Sequence, residues 1–108
     1  MAEAKKQTSP SFSDIINSET PVLVDFYADW CGPCKMMNPI LKKLKKEMGE
    51  ELNIIKIDAE KNADAAIKYQ VRGVPTLILF HKGRILWQQS GVVQLHQLKN
   101  IINQKLSA

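Results

Sequence analysis

The chain has 108 residues, 44% of them hydrophobic and 24% charged, with 15 basic against 11 acidic side chains and a formal charge of +4. That length suits one domain, residues 1–108, that buries its own core without staples, and no apolar run approaches the roughly 20 residues of a membrane helix. The opening Met1-Ala2-Glu3-Ala4-Lys5-Lys6-Gln7-Thr8 carries lysines with no apolar segment behind them. It does not read as a secretory signal, so the expected location is cytoplasmic. In that compartment two cysteines point to catalysis or metal binding rather than to a structural staple.

In chain order, Ser11 is placed to cap a short helix with Phe12, Ile15 and Ile16 on its apolar face. Val22–Ala28 follows Pro21 as a strand continuous enough to be covered on both faces. The next helix opens at the cysteines and runs to about Met48, with Gly49 as its stop. Pro33 is acceptable in its first turn, whereas Pro39 removes a bond within the helix and predicts a kink. Met37, Ile40, Leu41, Leu44 and Met48 repeat at helical spacing, so Lys42, Lys43, Lys45 and Lys46 are the wet side of an amphipathic helix. No aromatic residues interleave with these lysines, and the basic balance does not read as a nucleic-acid surface.

Leu52–Asp58 is the next predicted strand, and Asn62 is placed to cap a short Ala-rich helix reaching Tyr69. Thr76–His81 and Arg84–Gln89 flank Lys82-Gly83 and read as a hairpin, with Gly83 supplying a positive φ. Gly91 breaks that strand. A last helix over about Gln94–Leu106 turns Leu95, Leu98, Ile101, Ile102 and Leu106 inward. Strands separated by helices give a parallel set, the hairpin adds an antiparallel edge, and the result is an α/β sandwich.

Both cysteines lie in Trp30-Cys31-Gly32-Pro33-Cys34, where the buried strand gives way to a helix. Two thiols so placed can close into a disulfide and reopen. A thiol attacks only as its thiolate. Cys31 sits at the mouth of the helix, where free N–H groups and the helix dipole favour negative charge. It is also expected to be the more exposed of the two, because Cys34 lies a turn further in. These readings make Cys31 the nucleophile and Cys34 the thiol that resolves a mixed disulfide. Zinc is the competing reading, but it wants four ligands, and His81 and His96 stand apart without paired spacing. Asp25 is anomalous within an apolar strand. It is either a solvated strand residue or a buried carboxylate whose raised pKa suits it to accept the proton of Cys34. Lys56, inside Ile54-Ile55-Lys56-Ile57, reads by itself as a strand residue whose ammonium snorkels to water.

Cys31-Gly32-Pro33-Cys34 preceded by Trp30 and by Asp25-Phe26, then Arg72-Gly73-Val74-Pro75-Thr76, Phe80-His81-Lys82-Gly83 and Gly91 before the last helix, together resemble the thioredoxin family over about residues 12–106. The resemblance implies a three-layer sandwich with a mixed four- to five-stranded sheet flanked by four helices. It implies a redox disulfide Cys31–Cys34, Asp25 as proton acceptor for Cys34, and Lys56 as the cation that tunes Asp25. Pro75 would follow a cis peptide opposite the disulfide. Trp30, Gly32, Pro33, Val74, Gly91 and Val92 would form, with Pro75, an apolar lip for flexible segments of substrate proteins, with Trp30 as core packing the alternative.

The activity implied is that of a monomeric protein-disulfide reductase, an electron donor in redox homeostasis, recharged by an NADPH-dependent flavoprotein, a thioredoxin reductase. NADPH and flavin belong to that partner, and no cofactor is expected in this chain, which has no Gly-rich phosphate loop. An oxidant or isomerase on the same fold, and a non-catalytic partner module, are the alternatives. Gly-Pro between the cysteines favours the reductant over the first, and the presence of both cysteines speaks against the second. Two departures stand out. Tyr27 occupies a place where the family often has Trp, and Glu3–Thr8 lacks the alternation of the family's first strand, so residues 1–9 are expected to be irregular or a short edge strand.

Overall fold

In the computed structural model, which describes residues 11–107, the first helix α1 (Phe12–Ile16) begins with a capping box. The Ser11 hydroxyl accepts the Asp14 N–H at 3.1 Å and the Asp14 carboxylate accepts the Ser11 N–H at 3.4 Å, satisfying two donors that a helix start leaves free. The expectation for residues 1–9 lies outside the described residues. Seven further α-helices and β-strands follow: β1 (Val22–Tyr27), α2 (Gly32–Met48), β2 (Asn53–Asp58), α3 (Ala63–Lys68), β3 (Thr76–His81), β4 (Arg84–Ser90) and α4 (Leu95–Ser107), with one 3-10 turn (Gly49–Glu51) between α2 and β2. Among the described residues the sheet has four strands in the order β2-β1-β3-β4. β1 pairs with β2 in parallel and with β3 antiparallel, and β3–β4 is the hairpin.

Strand β1 sits inside the sheet, and its residues alternate between two cores. Leu23 packs with Met37, Leu41 and Leu44 of α2 and with Leu98 and Ile102 of α4. Val22, Val24 and Phe26 face the opposite layer, with Ile16 of α1 and Ala66 of α3. Asp25 shares the face of Leu23 and therefore looks toward α2. Its register partners are Lys56 on β2 and Leu77 on β3. The strand ends at Tyr27, one residue before the expected Ala28, because the Ala28 carbonyl turns to accept the Cys31 N–H at 3.1 Å.

The amphipathic reading of α2 holds: Met37, Leu41 and Leu44 are buried and the lysines face solvent. Pro39 is accommodated without ending the helix, and Gly49, at φ +56°, follows its last residue. The Lys45 ammonium donates to the carbonyls of Gly49 and Leu52 at 2.8 and 2.7 Å, covering acceptors the helix end leaves open. Leu52, expected to open the next strand, is instead a fully buried residue preceding β2. The apolar face of α4 is as expected, with Leu98 and Ile102 at its centre. Among the described residues no helix is long and apolar enough to cross a membrane.

The hairpin turn places both Lys82 (φ +55°) and Gly83 (φ +82°) in the left-handed region, so two residues supply what the sequence assigns to Gly83 alone. Gly83 is constrained from outside as well. Its N–H donates to the Ile16 carbonyl at 2.9 Å, and a Cβ there would collide with the side-chain oxygen of Asn17. The Asn17 amide is itself tied to the Ser13 carbonyl at 2.7 Å. Gly83→Ala is expected to lower stability by about 1–3 kcal/mol in urea unfolding, and an unchanged midpoint would contradict this packing.

Candidate active site

Cys31 is the N-cap of α2, with extended backbone (φ −87°, ψ 112°), and Gly32-Pro33 form the first helical turn. Pro33 costs nothing there, since a first-turn N–H has no partner within the helix. The two cysteines form a disulfide, with Cα atoms 5.3 Å apart. The Cys34 N–H points at the Cys31 sulfur at 3.1 Å. A free backbone donor at a helix start is thus aimed at one sulfur and not the other, and that geometry favours negative charge on Cys31.

Exposure does not separate the pair. Cys31 was expected to be the more accessible, yet the two are equally covered in the oxidised form, at 2% and 3%. Cys31 is screened because it packs with Ala28 and Val74, its sulfur 3.6 Å from the Val74 carbonyl. The distinction between the two thiols therefore rests on electrostatics.

Val74-Pro75 is a cis peptide, as the resemblance implies. The loop is pinned from both sides. The Thr76 hydroxyl donates to the Gly73 carbonyl at 2.7 Å and meets the Ser90 hydroxyl at 3.0 Å, while the Gly91 N–H donates to the Pro75 carbonyl at 2.9 Å. Gly91 adopts φ +96°. Pro75 is buried beneath the surface, Val74, Gly91 and Val92 are half-buried, and Gly32 and Pro33 are exposed.

Trp30 stands 69% exposed, which removes the core-packing alternative. Its indole N–H donates to the Glu60 carboxylate at 2.8 Å. Glu60 was not found by sequence reasoning. The local signal was Asp58, whose carboxylate accepts the N–H groups of Glu60 and Lys61 at 2.9 and 3.0 Å and so shapes the turn that presents Glu60. Trp30, Glu60, Val71, Arg72, Gly73 and Val74 line much of a groove of about 220 Å³.

Asp25 has no solvent exposure, and neither carboxylate oxygen has a hydrogen-bond partner. Desolvation raises its pKa to about 6, against a smaller opposing effect of the Lys56 charge. The solvated-face reading of Asp25 is therefore excluded. Lys56 snorkels, as its place in the strand implies. Its ammonium reaches solvent, donating to the Asn38 side-chain oxygen at 2.6 Å and lying 4.7 Å from the centroid of the Tyr27 ring, while its charge is felt at Asp25. Asn38, on α2, is a second residue that sequence reading passed over. Among the described residues no three His, Cys, Asp or Glu side chains gather in a way that could hold a metal ion.

A thioredoxin family model matches residues 3–104 of the chain. The rice protein "Thioredoxin Y, chloroplastic" is 44% identical over 97 residues, covering 89% of this chain and 58% of its own length. The chain thus spans somewhat over half of that relative. The Bacillus subtilis thioredoxin is 43% identical over 101 residues, covering 94% of this chain and 96% of the relative. Among solved structures, a mutant thioredoxin from Halobacterium salinarum superposes with a TM-score of 0.79 at 39% identity, covering 86% of this chain and 80% of that one.

Proposed function

The chain belongs to the thioredoxin family and has its fold, and from that premise we propose that it is a protein-disulfide reductase acting by dithiol–disulfide exchange. The observation that carries the reading is the Cys31–Cys34 pair at the start of α2, with the Cys34 N–H directed at the Cys31 sulfur. In the reduced protein the Cys31 thiolate attacks one sulfur of a substrate disulfide. A bond forms between Cys31 and that sulfur, and the other substrate sulfur leaves with the electron pair. Cys34 then gives its proton to the Asp25 carboxylate and attacks the Cys31 sulfur. The Cys31–substrate bond breaks, and the second substrate sulfur leaves as thiolate. The substrate has gained two electrons, and the protein is left with the disulfide seen here.

Asp25 is suited to the proton step because a carboxyl held near pH 6 both accepts and returns a proton near neutrality. Lys56 lends Asp25 a positive field. The apolar lip of Trp30, Gly32, Pro33, Val74, Gly91 and Val92, with Pro75 beneath it, gives an extended substrate segment an apolar docking surface. Because this surface is apolar and lies beside the disulfide, the substrates are flexible segments of proteins rather than one small molecule. Electrons return from an NADPH-dependent thioredoxin reductase, which carries the flavin, so this chain binds no cofactor. We place the protein in the cytoplasm as a monomer, donating electrons to reductive enzymes and to redox homeostasis.

The reading is tested by NADPH consumption with a thioredoxin reductase and a protein disulfide. Turnover is expected with the wild type and its loss with Cys31→Ser, whereas a wild type without turnover would remove the reading. In the same assay Trp30→Ala is expected to raise KM for the protein substrate several-fold. Its stability should change by no more than about 0.5 kcal/mol, as for other exposed positions. A large stability loss with KM unchanged would mean that Trp30 is structural.

A further inference from the structure

Behind the disulfide, a cavity of about 130 Å³ is lined by Tyr27, Ala28, Asp29, Cys34, Lys35, Asn38 and Lys56. Cys31 is not among its walls. A space of this size with polar walls holds a few waters, and Cys34 is the cysteine that borders it. Asn38 follows Cys34 by one helical turn and lies on the same side of α2. Its side-chain oxygen accepts the Lys56 ammonium at 2.6 Å, and the Tyr27 ring holds the same ammonium from another side. Lys56 is in register with Asp25 across the β1–β2 pair, so both side chains leave the sheet on the face covered by α2.

We propose that Asn38 is a positioning residue: its side-chain oxygen fixes the Lys56 ammonium at the cavity that reaches Cys34, and so sets the field under which Cys34 and Asp25 exchange a proton. The proposal rests on the disulfide-exchange reading and assigns to it a residue on α2 that touches neither substrate nor reacting sulfur. Without Asn38 the exposed ammonium keeps only the Tyr27 ring and swings more readily into water, where its charge is screened.

Other charged and titratable groups border this site. Tyr27 comes from β1, Asp29 from the turn after it, Cys34 and Lys35 from α2, and Lys42 and Lys45 of α2 line a second hollow shared with Asn38 and Lys56. β3 contributes apolar Leu77, and α4 contributes apolar Leu98 and Ile102 to the same layer. Lys56 is the cation whose effect on Asp25 is resolved.

The test is the pH titration of the Asp25 carboxyl carbon by NMR in the oxidised protein, where neither cysteine has a proton to lose. In Asn38→Ala the midpoint is expected to rise by about half a unit, a fraction of the one to three units produced by a well-placed opposite charge. Asn38→Gln keeps an amide oxygen and should return the midpoint at least halfway. In a Lys56→Met background Asn38→Ala should change nothing, since the residue acts through the ammonium. An unmoved midpoint in Asn38→Ala, or the same shift without Lys56, would overturn the proposal. In the reduced protein the matching sign is a resolving step slowed about two-fold at pH 6 and unaltered at pH 8. Failure of the wild type to resolve any mixed disulfide would sink the functional reading instead, while the carboxyl titration still decides whether Asn38 holds Lys56.

Discussion

Cys34→Ser is expected to turn this protein into a trap. With Cys31 intact, attack on a substrate disulfide proceeds. With a hydroxyl at position 34, the mixed disulfide has no thiol to resolve it and accumulates as a covalent adduct. Mass spectrometry should find the adduct on Cys31, removable by added dithiol, and multiple turnover should fall to background. Cys31→Ser should give no adduct and no turnover. The asymmetry has one structural source, the Cys34 N–H directed at the Cys31 sulfur at the start of α2, because the two residues are equally covered. If Cys31→Ser were the variant that collected adducts, the roles would be exchanged and the helix-terminus argument would be wrong.

Asp25→Asn should make the protein more stable and slower, and both effects should depend on pH. A carboxyl at about 6 in the folded state, against an ordinary 3.8, binds its proton more tightly folded than unfolded. Between those values the folded state holds more protons, so stability falls as pH rises through the window from about 4 to about 6. Two units correspond to roughly 3 kcal/mol lost by pH 7. Asparagine never ionises and avoids that loss, while leaving its amide as unpartnered as the neutral acid. The stability difference between variant and wild type should therefore grow by roughly 2.5 kcal/mol from pH 4 to pH 7, read by urea unfolding at each pH. A difference flat with pH would mean that Asp25 titrates like a surface carboxylate.

The kinetic loss in Asp25→Asn should be large near neutrality. An ordinary thiol near 8.5 is about 3% ionised at pH 7 without any base and a buried one less, so resolution should slow by roughly 30-fold or more there. The defect should shrink as pH rises and the thiol ionises unaided.

What the sequence carried was mostly local. The N-cap at Ser11, the Lys82-Gly83 hairpin and the lysine face of α2 each depend on residues within one or two turns of each other, and the structure repeats them. The anomaly of Asp25 was legible too, since an acid among Val24, Phe26 and Leu23 has no dry partner unless the fold provides one. What escaped depends on contacts between distant segments. Cys31 is covered by Val74, 43 residues away, Trp30 is held by Glu60, 30 residues away, and Lys56 by Asn38, 18 residues away. No periodicity encodes such pairs. The cis Val74-Pro75 bond was reached only through family resemblance, because the local chain does not distinguish the isomers.

The most direct test of the whole account is competitive alkylation of the reduced protein by iodoacetamide at pH 7, with the modified cysteine located by mass spectrometry. Cys31 is expected to be carboxamidomethylated at least about ten times faster than Cys34 and faster than a free cysteine, because its sulfur carries the negative charge that the start of α2 stabilises. Equal labelling of the two, or a Cys31 rate no greater than that of free cysteine, would contradict it.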